Sequence, residues 1–95
     1  MGIIAAKVKI KTDRVEDFLK GAEELAAVIR KEKALKFQEI YRDTKAKDTF
    51  YFVEEWENDE AFKAHFEKEY CVKFGDLMAE ITDGELEPFE WERVI

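Results

Sequence analysis

Histidine occurs once in this chain, at His65, and its chemistry is the first thing to explain. Imidazole is the one side chain here whose ordinary pKa lies between those of the carboxylates and the thiol. His65 follows Phe62 by three residues and adjoins Phe66, so on a helix the three share one side. That side must turn inward, toward Phe52, Glu54 and Trp56 on an aromatic-rich strand. A base in an apolar pocket suits removal of a proton from a bound small molecule. The protein then supplies positioning, a proton acceptor and exclusion of water. The plainer reading of His65 is a packed, hydrogen-bonded core imidazole, and the sequence admits both.

The neighbouring residues carry the same double reading. Glu54 points inward, where an acid is costly unless paired. It orients His65 or touches a ligand, or else it partners a backbone amide or a basic side chain. Tyr70 either donates a hydrogen bond to a ligand oxygen or closes a helix with its ring packed. Trp56, Phe52, Phe62 and Phe66 are pocket wall or core. Phe37 and Tyr41 share one side of their strand with Glu39 and are read in the same two ways. Cys71, the single cysteine, rules out an internal disulfide; with no thiolate-stabilising neighbours it reads as an inert small residue. Metal binding is the weaker alternative, since one histidine and scattered carboxylates lack any His-x-x-x-His or Cys-x-x-Cys spacing. The glycines, Gly2, Gly21, Gly75 and Gly84, are isolated and make no phosphate loop. The charge runs Lys31 to Lys36 and Glu67 to Glu69 read as solvated faces.

The elements that must position these residues are legible from periodicity. Ile4, Ala6, Val8 and Ile10 alternate with Lys7, Lys9 and Lys11, which predicts a strand over 3–11. Asp13 and Glu16 form a capping-box pattern ahead of a helical stripe of Val15, Phe18, Leu19, Ala22, Leu25, Ala26 and Ile29. Strands are expected over about 35–42 and 49–57, joined by the polar hairpin connection 43–48. Asn58 is placed as the N-cap of a short helix carrying Phe62, His65 and Phe66. A further helix is read from Phe74, Leu77, Met78 and Ile81, ending near Asp83-Gly84. A last strand covers about 86–94, with Pro88 putting it at a sheet edge or bulge. The order β-α-β-β-α-α-β is the α+β, ferredoxin-like pattern with a four-stranded antiparallel sheet and its second helix broken in two. Helices in this topology cover one sheet face, which leaves Ile3, Ile40, Tyr51 and Val53 on the bare one. A bare apolar face in so small a protein marks a partner surface, most economically a second copy, and a homodimer through the sheets is expected.

Composition sets the outer bounds. The 95 residues make one small domain, 1–95, with 16 Lys and Arg against 23 Asp and Glu, a net charge of −7. That sign argues against nucleic acid, which demands a basic patch. Hydrophobic residues at 46% and aromatics at 14% are too many for a disordered acidic chain. Charged residues at 41% suit a very soluble or heat-adapted surface. There is no bilayer-length apolar run and no signal-peptide core near the start, so no membrane association and a cytoplasmic location are expected.

One segment carries a resemblance. Tyr51-Phe52-Val53-Glu54-Glu55-Trp56, then Asn58-Asp59-Glu60-Ala61-Phe62, then His65, resembles the antibiotic biosynthesis monooxygenase family, whose members carry Glu-x-Trp at a strand end, an acidic helix start and then a histidine. The resemblance implies a dimeric α/β barrel and a role among quinol or anthrone oxidation, isomerisation of a phosphorylated sugar, haem degradation, or no chemistry at all. Lys33-Ala34-Leu35 stands where many members have a Gly-Cys pair, and Tyr70 stands where many have a second histidine. Haem degradation relies on a first-strand Asn and a Trp at the position of His65, and this chain has neither. The expectation is a homodimeric, cofactor-independent monooxygenase-like protein acting on a small aromatic or quinol compound, with no metal or haem. His65 would be the base and Tyr70 the donor, with Phe37, Tyr41, Phe52, Glu54, Trp56, Phe62 and Phe66 touching the ligand. A non-catalytic dimeric module holding a small apolar ligand is the rival, and an isomerase of a small carbonyl compound is a third reading.

Overall fold

A computed structural model describes residues 2–95. Its order is β1 (Ile3–Lys9), a single 3-10 turn at Thr12–Arg14, α1 (Val15–Ile29), β2 (Leu35–Arg42), β3 (Thr49–Trp56), α2 (Asp59–His65), α3 (Glu69–Ile81) and β4 (Glu87–Trp91). The four strands form one antiparallel sheet in the order β2-β3-β1-β4, the α+β, ferredoxin-like arrangement. Pro88 lies on β4, at the sheet edge, opposite Ala6. No helix among the described residues is long and apolar enough to cross a membrane.

The helices lie on the face that carries Ile4, Ala6 and Val8 of β1, which pair with Glu54, Phe52 and Phe50 of β3. Phe18 of α1 is fully buried there, with its ring centroid 4.4 Å from that of Phe50 and 5.9 Å from that of Phe52. Val8, Ile10, Ala22 and Ile81 complete this cluster. Burying one such large side chain stabilises by about 1.5–3 kcal/mol. Asn58 caps α2 as its sequence position predicts, its side chain accepting from the Ala61 N–H at 2.8 Å. The capping box of Asp13 and Glu16 does not form. The 3-10 turn intervenes, no side chain caps α1, and Arg14 instead reaches forward to Asp17 at 2.6 Å and across to Glu80 at 2.9 Å.

The main correction concerns β2. Leu35 pairs with Trp56, yet Phe37 pairs with Glu55, so Lys36 is an extra residue in the strand, a β-bulge. Past it the alternation is inverted. Gln38, Ile40 and Arg42 take the helix-covered face opposite Glu54, Phe52 and Phe50, while Phe37, Glu39 and Tyr41 take the other. Ile40, expected on the bare face, therefore packs into the core. Phe37 and Tyr41, expected in the pocket wall, stand outside it. A one-residue slip exchanges every side chain between faces, and simple period-two counting through Lys36 cannot detect it.

The uncovered face carries Ile3, Tyr51 and Val53, joined by Phe37, Tyr41, Phe89 and Trp91. Tyr41 is 49% exposed and Trp91 50%.

Candidate functional site

His65 ends α2 and is 5% exposed, with its ring centroid 4.7 Å from that of the fully buried Trp56. Its Nδ1 lies 2.8 Å from Oε2 of Glu32, a residue in the turn between α1 and β2. The same oxygen accepts the Tyr70 hydroxyl at 2.6 Å, and Lys68 Nζ stands 2.9 Å from the other oxygen. Burial pushes the Glu32 carboxyl up, but hydrogen bonds from Tyr70, Lys68 and His65 outweigh it and hold the group below its ordinary pKa. An ionised carboxylate is an acceptor only, so Nδ1 must carry the proton shared with Glu32. In a neutral ring Nε2 is then the unprotonated nitrogen, the one able to accept a proton, and the Cys71 Sγ lies 3.2 Å from it.

Glu32 was hidden in the Lys31–Lys36 run read as a solvated face; its side chain is in fact only 10% exposed. One signal pointed to it. An acid just after a helix C-terminus opposes the dipole there, so it needs a compensating partner. Two more placements differ from expectation. Glu54 does not orient His65; its Oε1 accepts the Trp56 indole N–H at 2.8 Å. Burial raises the Glu54 pKa, the Glu32 charge adds to that, and the Trp56 bond and the field of His65 offset it only in part. Tyr70 is not a free donor, because its hydroxyl is committed to Glu32. Cys71 Sγ lies 3.3 Å from Nδ1 and 3.2 Å from Nε2 of His65, against the part of the ring between the two nitrogens. Burial, then the charges of Glu32 and Glu54, push its thiol up to about 11, so it stays protonated and unreactive at neutral pH.

A cavity of about 640 Å³ opens between the sheet and the helices. Five of the expected site residues line it: His65, Phe52, Glu54, Phe62 and Phe66. Trp56 and Tyr70 sit behind that wall, one supporting the imidazole ring and the other holding Glu32. Phe37 and Tyr41 are on the far side of the sheet. Sequence reasoning missed Phe74 and Met78 from α3 as further apolar wall, and missed Gln38. Gln38 is 3% exposed, and neither amide atom has a hydrogen-bond partner among the described residues. Leaving such a group unpaired costs about 1–3 kcal/mol. Among the described residues no group of three or more His, Cys, Asp and Glu could hold a metal ion. The arrangement offers one unprotonated imidazole nitrogen, a half-buried carboxyl and an amide, all at the wall of a mainly apolar space, which is the usual make-up of a small-molecule site.

Solved structures share this fold end to end. A crystal structure of an antibiotic biosynthesis monooxygenase superposes with a TM-score of 0.92 at 22% identity, covering 100% of both chains. A conserved protein from Methanosarcina mazei Go1 gives 0.89 at 20% identity, over 96% of this chain and 90% of that one. PA3566 from Pseudomonas aeruginosa gives 0.83 at 17%, over 96% and 93%. No curated protein matches the chain. The profile of the antibiotic biosynthesis monooxygenase family, by contrast, matches residues 1–77, and the match takes in β1 through most of α3 with Glu32, Glu54 and His65 inside it. The chain belongs to the antibiotic biosynthesis monooxygenase family.

Proposed function

We propose that the protein is a cofactor-independent monooxygenase acting on a small aromatic or quinol compound held in the cavity beside His65. The carrying observation is that Nδ1 of His65 is bound to Glu32 while the ring lines the cavity. Nε2 takes a proton from an acidic O–H or C–H of the bound ring. The imidazolium so formed faces the Glu32 carboxylate at 2.8 Å, which stabilises it. The substrate anion gives one electron to dioxygen, and the resulting pair combines to form a C–O bond. Breaking the O–O bond leaves one oxygen on the substrate and releases the other as water, all reducing electrons coming from the substrate. The apolar walls exclude bulk water from this sequence.

Oxygen uptake with a panel of hydroquinones and naphthols tests the reading. His65→Ala should lower turnover by about 10²–10⁴-fold, the range for loss of a general base. Glu32→Gln should lower it less, since the ring keeps a hydrogen-bond partner but loses the stabilising charge. Unchanged turnover in His65→Ala would end the proposal. The rival, a binding module without turnover, is favoured by the mostly apolar lining of the cavity, and it predicts ligand retention with no oxygen uptake in any variant.

The same reading includes a homodimer through the bare sheet face, supported by the apolar patch of Ile3, Phe37, Tyr41, Tyr51, Val53, Phe89 and Trp91. Light scattering at micromolar concentration should give twice the chain mass, and Trp91→Lys should shift it toward the monomer. A monomeric wild type would rule the dimer out.

A further inference from the structure

The bulge at Lys36 that turns Phe37 outward also turns the next side chain, Gln38, inward. Gln38 stands directly across from Glu54 on β3, and both line the cavity. Its main chain is fixed from behind, because Arg30 at the end of α1 donates from Nη2 to the Gln38 carbonyl at 3.0 Å. Gln38 is 3% exposed, and its amide Nε2 and Oε1 are both buried with no partner among the described residues. Leucine or methionine would fill this position with nothing left unpaired, so the amide is the costlier occupant of an otherwise apolar wall.

An amide presents a donor and an acceptor side by side on one edge. A lone ring hydroxyl meets one of them squarely and leaves the other short. Two adjacent oxygens on a ring, at least one of them a hydroxyl, meet both: the hydroxyl donates to Oε1 and its neighbour accepts from Nε2. A site built to hydrogen-bond rejects an analogue that leaves its polar groups unpaired far more strongly than an apolar wall rejects a missing methylene. We propose that Gln38 is the specificity-determining residue of this cavity, selecting aromatic ligands with two vicinal oxygen functions seated against β2 and β3. The inference rests on the cavity being the ligand site, and it adds which end of the ligand enters first and what that end must carry.

The test uses 2,3-dihydroxynaphthalene and 2-naphthol, titrated under argon so that binding is read apart from oxidation. Heteronuclear NMR follows the side-chain amide of Gln38 and the rings of Phe62 and His65. The wild type should bind the diol on the order of tenfold more tightly than the mono-ol, the worth of one well-made hydrogen bond. The Gln38 amide resonances should move with the diol and much less with the mono-ol. Gln38→Met and Gln38→Leu should erase the preference, bringing the affinities of the two compounds within about threefold of each other, a selectivity change that a merely structural role would not produce. The wild-type comparison needs neither variant to fold. Equal affinity of the two compounds for the wild type, as a water permanently held on the amide would give, overturns the role of Gln38 and leaves the cavity reading standing. So does a preference that survives in both variants. Failure of either compound to move Phe62 or His65 overturns the cavity reading and this inference with it.

Discussion

The two ends of the covered sheet face are built on opposite terms. At one end Val8, Ile10, Phe18, Phe50 and Ile81 are each no more than 1% exposed, and the aromatic rings of Phe18, Phe50, Phe52 and Phe74 run in contact from α1 across β3 to α3. At the other, Leu25, Ile29 and Trp56 are buried, but the space beyond them holds a cavity with His65, Glu54 and Gln38 at its wall. Two charged or titratable side chains and one amide are withdrawn from water there, where apolar residues would have closed the gap. The first end carries the stability of the domain. The second is tolerated because the first is tight, and a small domain has little stability to spare.

The largest effect that could break this contrast is on stability. Phe18→Ala should destabilise the fold by about 3–5 kcal/mol in urea melts, the loss expected of a large ring from a close-packed core. Phe62→Ala, on the cavity wall, should lose about half of that or less, since its side chain is already partly exposed to open space. Equal losses would show that the two ends are not packed differently.

The next effect is one of pH. Glu32 has a lowered pKa in the folded state, so its contribution is fully present above the ordinary carboxylate range and is lost as the pH falls through the folded value. Thermal melts from pH 7 down to pH 3 should show the wild type losing its advantage over Glu32→Gln below about pH 4.5, where the unfolded carboxyl also protonates. A gap that stays constant over that range would mean that the Glu32 network adds nothing to stability.

Glu54 sharpens the contrast in the other direction, because its folded pKa is raised. Any stabilisation from Glu54 is present below the ordinary carboxylate pKa and is lost as the pH rises through the folded value. Glu54→Gln keeps an oxygen for the Trp56 N–H and removes the half-buried charge. At pH 7 it should raise stability by about 1 kcal/mol, and the gain should vanish near pH 4. A loss of stability at pH 7 would place Glu54 among the supports of the fold. The smallest expected effect is at Lys68, whose side chain is 46% exposed, so Lys68→Ala should leave the thermal melt nearly unchanged and any difference should fade with added salt.

Local pattern was enough for much of this molecule. The alternation of β1, the apolar stripe of α1, the Asn58 cap and Pro88 at an edge are each fixed by a few neighbouring residues, and so their elements and their order could be read directly. Phe62, His65 and Phe66 share one side of α2 for the same reason, which is why the sequence put His65 at the cavity. What it could not determine were the long-range pairings. Glu32 and His65 meet only when the turn after α1 is brought against the end of α2, and no spacing in the chain encodes that meeting. Gln38 faces the cavity, and Phe37, Tyr41 and Ile40 exchange their expected faces, because one extra residue at Lys36 inverts the pleat of β2. A bulge is set by how a strand fits its partner and the helices above it, so its position is decided in the tertiary structure.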